Sequence, residues 1–536
     1  MPVPSRHAEP IEILIPSYLR YFSVLLTLML AACGGGGGGN GSGGSTGQNN
    51  TFVEESGTNT SCLAGTLSGQ ESFRAINGAI LYANGNALLL NHLASGTEQE
   101  LISRPNDLSY SVSPSRRFAA AWEFGKENDL EIFDLLTGEA APIPSSPSLS
   151  SIRSWSPNDR YIIDGGQSGS RLIDRHSGAI TPLNSNSYPE VVWSPDSAKL
   201  AVVTRYLITV FSTTGEKLVE FSLPDEGQTS PYFVTSSIAF SYDGRYVAYQ
   251  KDLFIEGPRH INFIYDFDTE LSTEVGASEI KEPAQLQWSP AANLLAFQVT
   301  RFFDTYDSFH LSVYDVTAEE SIAVVSTKGV GVMEYAWSPA QPILAFSTSN
   351  SDAEEKLEIV NFSDSSKVPQ KVSPYLPPAR DIREFYWSPD GTRLAFHADP
   401  SDTQGSIYIA NTAKKCFRKV SRNNDSEDFI DFNFKWSNSG NYLLYEINNQ
   451  HFLAANADGS GDTDLTPAIV ETSPSEVMDL VWLPSSDTLF ARRRENAMTL
   501  ETQEYRFFEL DRRTTLSIYK GAGDSFDRDY WLIPDS

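Results

Sequence analysis

The stretch Trp387-Ser388-Pro389-Asp390-Gly391-Thr392-Arg393-Leu394-Ala395-Phe396 decides the fold of this 536-residue chain, because altered copies of it recur along the sequence. With the position of Trp387 as the marker, ten copies follow one another at intervals of 38 to 50 residues. The marker positions are Val112, Trp155, Trp193, Phe240, Trp288, Trp337, Trp387, Trp436, Trp482 and Trp531. A period near 45 residues with turn-forming residues and β-rich flanks predicts the blades of a β-propeller rather than a helical repeat.

Each unit contains four short apolar runs, which predict four strands. In the unit around Trp288 the runs are 286–288, 294–297, 311–314 and 322–325. Ser-Pro-Asp-Gly between the first two runs predicts a tight turn, because proline fixes φ, aspartate bonds its own backbone and glycine accepts positive φ. A four-stranded sheet cannot bury both faces alone, so the repeated tryptophan is predicted as core between blades rather than as a binding surface.

These units resemble the TolB-like, WD-like β-propeller repeat over residues 75–536. The run Phe452-Leu453-Ala454-Ala455-Asn456-Ala457-Asp458-Gly459-Ser460-Gly461-Asp462-Thr463-Asp464-Leu465-Thr466 is similar to the family's third strand, turn and fourth strand. The chain departs from TolB itself because a signal and a tether, rather than a separate α/β domain, are expected before the propeller. The resemblance implies a periplasmic interaction role, by analogy alone.

The two ends of the chain predict one shared blade. Tyr530-Trp531-Leu532-Ile533 has the pattern of a first strand, while residues 78–82, 87–90 and 98–103 have that of strands two to four. Sharing a blade would close the ring without exposed strand edges. Because four to eight blades is the usual range, three arrangements stay open: one wide ring of up to ten blades, an eight- or nine-bladed ring with irregular end units, and two smaller propellers. Even spacing favours one ring.

Residues 1–32 predict a bacterial lipoprotein signal peptide. The uncharged run 21–32 ends in Leu30-Ala31-Ala32-Cys33, which resembles the lipobox, so Cys33 is the predicted lipidation site. The run of about 12 residues is shorter than the ~20 that a membrane-spanning helix needs. An ordinary secretory signal is the alternative, and translation starting near Leu19 stays open. Gly34 after the lipobox favours, by the family rule, the outer membrane facing the periplasm.

The predicted domains after the signal are a lipidated cysteine with a Gly-rich flexible tether over 33–60 and the propeller over 61–536. The net charge of −29 gives a surface that repels phosphate backbones, which argues against nucleic acid as a partner. An oxidising compartment permits a disulfide between Cys62 and Cys416, the alternative being two free thiols. That bridge would close a loop of over 350 residues, worth roughly 5 kcal/mol in the chain-entropy relation.

No catalytic template is convincing, and no cofactor is expected. Residues 166–170 miss the last glycine of a nucleophile elbow. His260, His310 and His451 fall near the start of the third strand in their units, where a metal site and solvated loop histidines are the two interpretations. Alternating Asn456, Asp458, Ser460, Asp462 and Asp464 faintly resemble a calcium loop but lack its final glutamate, so a structural turn is favoured.

The connections between strands two and three are longer than the tight turns, with runs such as 251–260, 301–309, 348–356 and 492–505, so recognition is predicted on that face. Two charged runs are the candidate partner-binding loops, with solvated surface as the alternative: Arg492, Arg493 and Arg494, and Asp425, Glu427 and Asp428. The leading hypothesis is a lipid-anchored, non-catalytic protein-binding or scaffold module of the cell envelope. The rival is an envelope enzyme, a polysaccharide lyase, hydrolase or peptidase relative, with a site in the propeller channel.

Overall fold

The structure is a computed structural model that describes residues 53–54, 62–63, 79–84, 86–92, 95, 97–106, 108–123, 130–141, 152–166, 169–183, 190–204, 207–222, 238–253, 259–278, 285–303, 306–325, 330–350, 355–372, 382, 384–398, 405–422, 430, 434–448, 451–467, 475–483, 487–495, 502–510, 514–521 and 530–533. Cys33 and the signal peptide lie outside these residues. Among the helical segments of the described residues, none has the length and apolar character needed to cross a membrane.

Each predicted repeat forms one four-stranded antiparallel sheet, and the described residues contain ten such sheets, named blades 1 to 10 in chain order. A short strand, β1 (Val53–Glu54), precedes them. Blades 1 to 5 consist of β2 (Ala79–Asn84), β3 (Ala87–His92) and β4 (Thr97–Ser103) with the C-terminal β41 (Tyr530–Ile533); β5 (Leu108–Val112), β6 (Phe118–Glu123), β7 (Glu131–Asp134) and β8 (Glu139–Ala140); β9 (Ile152–Trp155), β10 (Tyr161–Gly166), β11 (Gly169–Asp174) and β12 (Ile180–Pro182); β13 (Glu190–Trp193), β14 (Lys199–Val203), β15 (Leu207–Ser212) and β16 (Lys217–Ser222); and β17 (Ile238–Phe240), β18 (Tyr246–Leu253), β19 (Arg259–Asp266) and β20 (Leu271–Ser278).

Blades 6 to 10 have the same strand order. They consist of β21 (Gln287–Trp288), β22 (Leu294–Phe303), β23 (Tyr306–Asp315) and β24 (Glu320–Val325); β25 (Val330–Trp337), β26 (Ile343–Asn350), β27 (Glu355–Asn361) and β28 (Gln370–Lys371); β29 (Phe385–Trp387), β30 (Arg393–Ala398), β31 (Ser406–Asn411) and β32 (Cys416–Lys419); β33 (Lys435–Trp436), β34 (Tyr442–Ile447), β35 (His451–Asn456) and β36 (Asp462–Asp464); and β37 (Ser475–Trp482), β38 (Thr488–Glu495), β39 (Thr502–Glu509) and β40 (Thr514–Gly521). The prediction of a β-propeller is confirmed.

The blades pack on one another in chain order. Nine clusters of buried apolar side chains each join one blade to the next, from blades 1 and 2 through to blades 9 and 10. The second strand is therefore covered on both faces, and all six residues of β30 are buried. The last strand of the chain, β41, pairs with β2 in blade 1, with Trp531 opposite Leu81. Ten blades in one series, with the two chain ends in one blade, agree with the wide-ring prediction.

The first strands of the blades lie at the inner edge of the propeller, where neighbouring blades converge. Strand β17 approaches both β13 and β21, which are the first strands on either side of it. The fourth strands form the outer edge, and in β16 most side chains are exposed. Antiparallel strands place the turns between strands one and two and between strands three and four on one face, which we call the short-turn face. The connections between strands two and three lie on the opposite face, the hairpin face.

The repeated tryptophans link the inner edges of successive blades as well as filling the space between them. In seven blades the indole Nε1 donates a hydrogen bond to the residue just before the marker position of the preceding blade: Trp155 to Ser111 Oγ (3.0 Å), Trp193 to Ser154 Oγ (2.9 Å), Trp288 to Ala239 O (3.0 Å), Trp337 to Gln287 O (3.0 Å), Trp387 to Ala336 O (3.1 Å), Trp436 to Tyr386 O (2.9 Å) and Trp482 to Lys435 O (3.2 Å). Hydrogen bonding explains why tryptophan, rather than any large apolar residue, occupies most marker positions.

The Ser-Pro-Asp-Gly turn is held by its own side chains. In blade 8 the fully buried Ser388 donates from Oγ to Asp390 Oδ1 (2.5 Å) and accepts the backbone N–H of Arg393 (3.0 Å). Asp390 accepts the backbone N–H of Thr392 (3.0 Å), and Gly391 has a φ of 67°. The tight turn predicted from the sequence therefore has a specific hydrogen-bonded form, which keeps the short-turn face compact.

The segment before blade 1 is fastened to blade 8. Strand β1 pairs in parallel with β32, the outer strand of that blade, with Val53 opposite Cys416. Cys62 and Cys416 form a disulfide with a Cα–Cα distance of 5.8 Å, and the adjacent Leu63 is fully buried. We call β1, Cys62 and Leu63 the N-terminal clasp. Within the range 33–60 that is predicted as tether, the structure describes only β1, which begins at the β-favouring Val53.

Candidate functional site

The hairpin face is uneven, because the second strands differ in length. In blades 1 to 4, 8 and 9 these strands run for five or six residues. The second strands of blades 5, 7 and 10 run for eight residues and β22 of blade 6 runs for ten. Four extra residues at about 3.3 Å each carry the tip of the blade 6 hairpin about 13 Å beyond a six-residue strand. Blades 5 to 7 are consecutive, and together they form what we call the raised sector.

The neighbours in the raised sector contact one another near its base. Strand β20 of blade 5 contacts β22, and β25 of blade 7 contacts β23. The amide Nε2 of Gln298 in β22 donates a weak hydrogen bond of 3.4 Å to the carbonyl of Val332 in β25. In blade 5, the buried Gln250 and Asn262 face each other across β18 and β19 and are joined by a hydrogen bond of 2.8 Å. The base of the hairpins is therefore fixed by polar contacts as well as by packing.

The tip of the blade 6 hairpin has strand edges that pair with nothing else in the described residues. Strands β22 and β23 pair with each other over ten positions, up to Phe303 opposite Tyr306. Strand β21 covers only Ala296 and Leu295 of β22, and β24 covers β23 only from Leu311 onward. Within the described residues, positions 298–303 of β22 and 306–309 of β23 thus have no ladder partner on their outer sides. Natural proteins usually cover or shorten such edges, so an uncovered one is a place where another strand can add.

The sequence of this tip suits contact with another protein. Residues 302–309 contain Phe302, Phe303, Tyr306 and Phe309 within eight positions, with Asp304 and Asp307 between them. Aromatic residues are enriched in protein–protein interfaces relative to the rest of the protein surface. The tip therefore combines open strand edges with the residue types that carry binding energy.

A second cluster lies at the inner edge of blades 7 and 8. Glu334 and Glu384 each stand three residues before a marker tryptophan, and the hydroxyl of Tyr386 donates to Glu384 Oε2 at 2.9 Å. Loss of hydration, followed by the charge of Glu384, raises the pKa of Glu334 to about 7. Glu334 is exposed as a residue, while the inner-edge atoms around its carboxylate displace much of the hydration shell of that group. Burial and the two carboxylates raise the pKa of Tyr386 as well.

The arginines predicted as a loop lie in a strand instead. Arg492, Arg493 and Arg494 belong to β38, which pairs with β37 on one side and β39 on the other. Arg492 and Arg494 stand opposite Asp479 and Glu476 in register, and opposite charges at paired positions favour continuing the ladder. The described residues of the runs 251–260, 301–309, 348–356 and 492–505 likewise lie in strands, so the paired hairpins extend into the predicted long loops. Asp425, Glu427 and Asp428 lie outside the described residues.

The three histidines considered for a metal are on blades 5, 6 and 9. His260 and His310 are buried, at 3% and 7% exposure, whereas His451 is exposed. Within the part of the chain that the structure describes, no group of three His, Cys, Asp or Glu side chains is placed to hold a metal ion.

The segment that resembled a calcium loop is a hairpin turn between β35 and β36. Asp458 accepts the backbone N–H of Ser460 at 2.8 Å, and Asn456 Nδ2 donates to Ser460 Oγ at 2.9 Å. Asp462 pairs with Arg422, so this carboxylate already has a cation. These contacts account for the alternating polar residues as structural.

Two features escaped sequence reasoning. The pair Glu334 and Glu384 could have been found by aligning the repeats, since both occupy the third position before the marker in consecutive units. The buried His397 packs so closely on Gly405, which has a φ of 48°, that a Cβ there would lie 1.8 Å from the ring. No sequence signal marks that contact, because it joins the two sides of a hairpin whose register the repeat does not specify.

Among the comparisons of this chain with known proteins, only the comparison with solved structures finds similar proteins. No protein-family model matches the chain, and no curated protein matches it. The chain is similar to a eukaryotic initiation factor (12% identity, 73% of this chain and 96% of that one, TM-score 0.43) and to dipeptidyl peptidase 4 of Porphyromonas gingivalis (14%, 85% and 59%, TM-score 0.43). An oligogalacturonate lyase in complex with manganese is similar over 71% of this chain and 98% of its own, at 11% identity and a TM-score of 0.34.

Proposed function

We propose that this protein is a non-catalytic protein-binding module of the bacterial cell envelope, anchored by a lipid on Cys33 at the periplasmic side of the outer membrane. The binding surface is the raised sector, and the blade 6 hairpin is its centre. The observation that carries the proposal is the pair of strand edges along residues 298–303 and 306–309, which have no outer ladder partner among the described residues. The partner contributes an extended segment that adds to one of these edges and packs on the aromatic tip.

Two further features support the envelope assignment. The Cys62–Cys416 disulfide persists in oxidising compartments such as the periplasm. The TolB-like character of the repeat, together with the lipobox-like residues before Cys33, agrees with an exported and anchored protein. A rigid propeller at the end of a tether holds its hairpins at fixed spacing while it samples partners near the membrane.

The test shortens the hairpin without changing its register. Val299 and His310 are paired, so replacing residues 300–309 by Asn-Gly closes the hairpin four pairs earlier with a tight turn. The matched control shortens the blade 10 hairpin in the same way, from the paired Arg492 and Tyr505. Each full-length variant is crosslinked in its native envelope and the captured proteins are identified by mass spectrometry.

We expect one protein to be captured at near-equal abundance by the parent and by the blade 10 variant, and at least tenfold less by the blade 6 variant. Capture that survives blade 6 shortening but fails after blade 10 shortening would move the site to the arginine-bearing hairpin. Equal and unspecific recovery from all three proteins would overturn the binding role.

The inner-edge cluster favours a second candidate, an enzyme that acts on an acidic or neutral polysaccharide. A carboxyl group with a pKa of about 7 beside a second carboxylate and a tyrosine hydroxyl is a usual arrangement for acid–base work. Incubation of the purified protein with a polysaccharide panel would show product release that Glu334→Gln abolishes, with Glu190→Gln, an exposed first-strand glutamate of blade 4, as the control. No product above the blank from any polysaccharide would exclude this role.

A further inference from the structure

Strand β25 of blade 7 braces the base of the blade 6 hairpin. The buried Val332 of β25 packs in the apolar cluster between blades 6 and 7, and β25 contacts β23. Three hydrogen bonds also join the two blades through this strand: Gln298 Nε2 to Val332 O (3.4 Å), Tyr335 Oη to Gln285 O (2.5 Å) and Trp337 Nε1 to Gln287 O (3.0 Å). The position of β25 therefore decides how firmly the hairpin with the proposed binding edges is held.

Strand β25 contains a β-bulge within this brace. The ladder with β26 shifts by one residue between Val332 and Glu334, so the intervening Met333 has no partner in it. The extra residue leaves two neighbours, Met333 and Glu334, on the exposed side of the strand, and Met333 is 63% exposed. Because a bulge disrupts the ladder locally, β25 can move at this point more easily than a regular strand. Glu334 lies directly beside the bulged residue.

Glu334 meets a like charge from blade 8. Glu384 has the same place in its own blade, three residues before the marker, and the converging first strands bring both residues to the inner edge. Loss of hydration and the charge of Glu384 both disfavour the ionised form of Glu334. Within the described residues, the other titratable groups beside Glu334 are Tyr386, which donates to Glu384 at 2.9 Å, and Tyr335, which faces blade 6. The blade 6 groups that bond to β25 are amides and carbonyls and have no charge. The two carboxylates therefore titrate as a coupled pair between blades 7 and 8.

We propose that the Glu334–Glu384 pair is a pH-sensitive switch that sets how firmly β25 braces the blade 6 hairpin. The consequence for partner binding rests on the proposed function. A protonated Glu334 donates a hydrogen bond to the Glu384 carboxylate, and a single negative charge then lies between the blades. Release of that proton to solvent leaves two like charges that repel each other. Strand β25 then shifts at the Met333 bulge, and its bonds to blade 6 loosen.

The direction of the switch follows from the sign of the titration. The pKa of Glu334 is raised to about 7, so the folded protein keeps this proton at acidic pH and loses it as the pH rises. The brace is therefore firm below about pH 6 and loosened above about pH 8. A binding edge that is already held in place loses less freedom when a partner strand adds to it. Partner binding is therefore stronger on the acidic side of this range.

Hydrogen exchange of the purified full chain at pH 6 and pH 8, corrected for the intrinsic pH dependence of exchange, tests the switch without a partner. We expect protection of β22, β23 and β25 to fall at least fivefold between the two pH values, while β13 and β14 of blade 4 stay within twofold. Protection of β25 that stays within twofold would overturn the switch. An equal fall in all ten blades would also overturn it, because the pair would then act on global stability alone.

Three variants assign the effect to the pair. Glu334→Gln has no proton to release, so the fall in protection should vanish. Glu384→Gln keeps the burial of Glu334 and removes its like charge, so the fall should become smaller and move to lower pH. Glu190→Gln, at the same exposed first-strand position of blade 4, should behave like the parent. A fall in protection that persists in Glu334→Gln would overturn the role of the pair.

Crosslinking in the native envelope tests the consequence for binding separately. The parent should capture its crosslinked protein at least threefold less at pH 8 than at pH 6, whereas Glu334→Gln should capture it equally at both. If exchange shows the switch and nothing specific is captured at either pH, the binding role fails and the switch stands. Specific and equal capture by the parent at both pH values would leave the binding role standing and overturn its regulation by the switch.

Discussion

Substitution of Gly391 by alanine tests whether the turn of one blade is a structural contact of the blade before it. Gly391 has a φ of 67°, and an added Cβ would lie 2.4 Å from Ser338 Oγ and 3.0 Å from the backbone nitrogen of Ala340. Ser338 is fully buried and donates to the carbonyl of Gly391 at 3.0 Å. The Cβ would therefore displace a buried hydroxyl and break the bond that joins the turns of blades 7 and 8.

The expected loss in free energy of unfolding for Gly391→Ala has two contributions. Left-handed backbone costs an alanine about 1–2 kcal/mol. Loss of the buried Ser338 bond adds about 1–3 kcal/mol. Gly440→Ala in blade 9 has only the cost of the left-handed backbone, because the φ of Gly440 is 74° and the nearest atom to an added Cβ, Pro389 Cδ, is 3.4 Å away. The unfolded-state effect of replacing glycine is the same at both positions, so it cancels in the difference. We expect Gly391→Ala to lower the free energy of unfolding by about 2 kcal/mol more than Gly440→Ala.

Equilibrium urea unfolding of the oxidised proteins, followed by far-ultraviolet circular dichroism, measures this difference in the free energy of unfolding. The comparison is valid when both variants have the same dependence of that free energy on urea concentration. Both variants should retain the parent spectrum in the absence of urea. Equal destabilisation of the two variants, within about 0.5 kcal/mol, would refute the reasoning, because the contact to Ser338 would then contribute nothing.

Three further changes have expected outcomes. Trp387→Phe removes the indole bond to Ala336 and some buried area, and should cost about 2 kcal/mol in urea unfolding; a neutral result would show that the bond is dispensable. Glu334 has a folded pKa of about 7 against a usual 4.5, so the folded state keeps a proton that the unfolded state has released, and stability should fall as pH rises through this window. In Glu334→Gln, the urea midpoint of unfolding should fall less between pH 4.5 and 7 than it does in the parent protein. The Asp174 pKa is held well below its usual range by the hydrogen bond from Arg160, so its stabilisation should be present above pH 4 and vanish on acidification; Asp174→Asn should lack this dependence.

Most of the fold could be predicted from the sequence repeat. Tight-turn chemistry, the four apolar runs and the marker tryptophans each depend on residues within about fifty positions, which is why the blades and the shared closing strand could be predicted. The length of the hairpins could not be predicted, because strand pairing beyond Phe297 depends on contacts with the neighbouring blades. Arg492 is the clearest case, because its charge suggested a loop while its paired position opposite Asp479 places it in a strand.

The sequence by itself determined the blade, its turn and the number of repeats, because these follow from local propensity and from a spacing that recurs ten times. The tertiary structure alone decided which blade the N-terminal clasp is fastened to, which hairpins form the raised sector, and which glutamates share the inner edge. Each of these joins residues from different blades, and their distance in space depends on how the blades pack rather than on any pattern within one repeat.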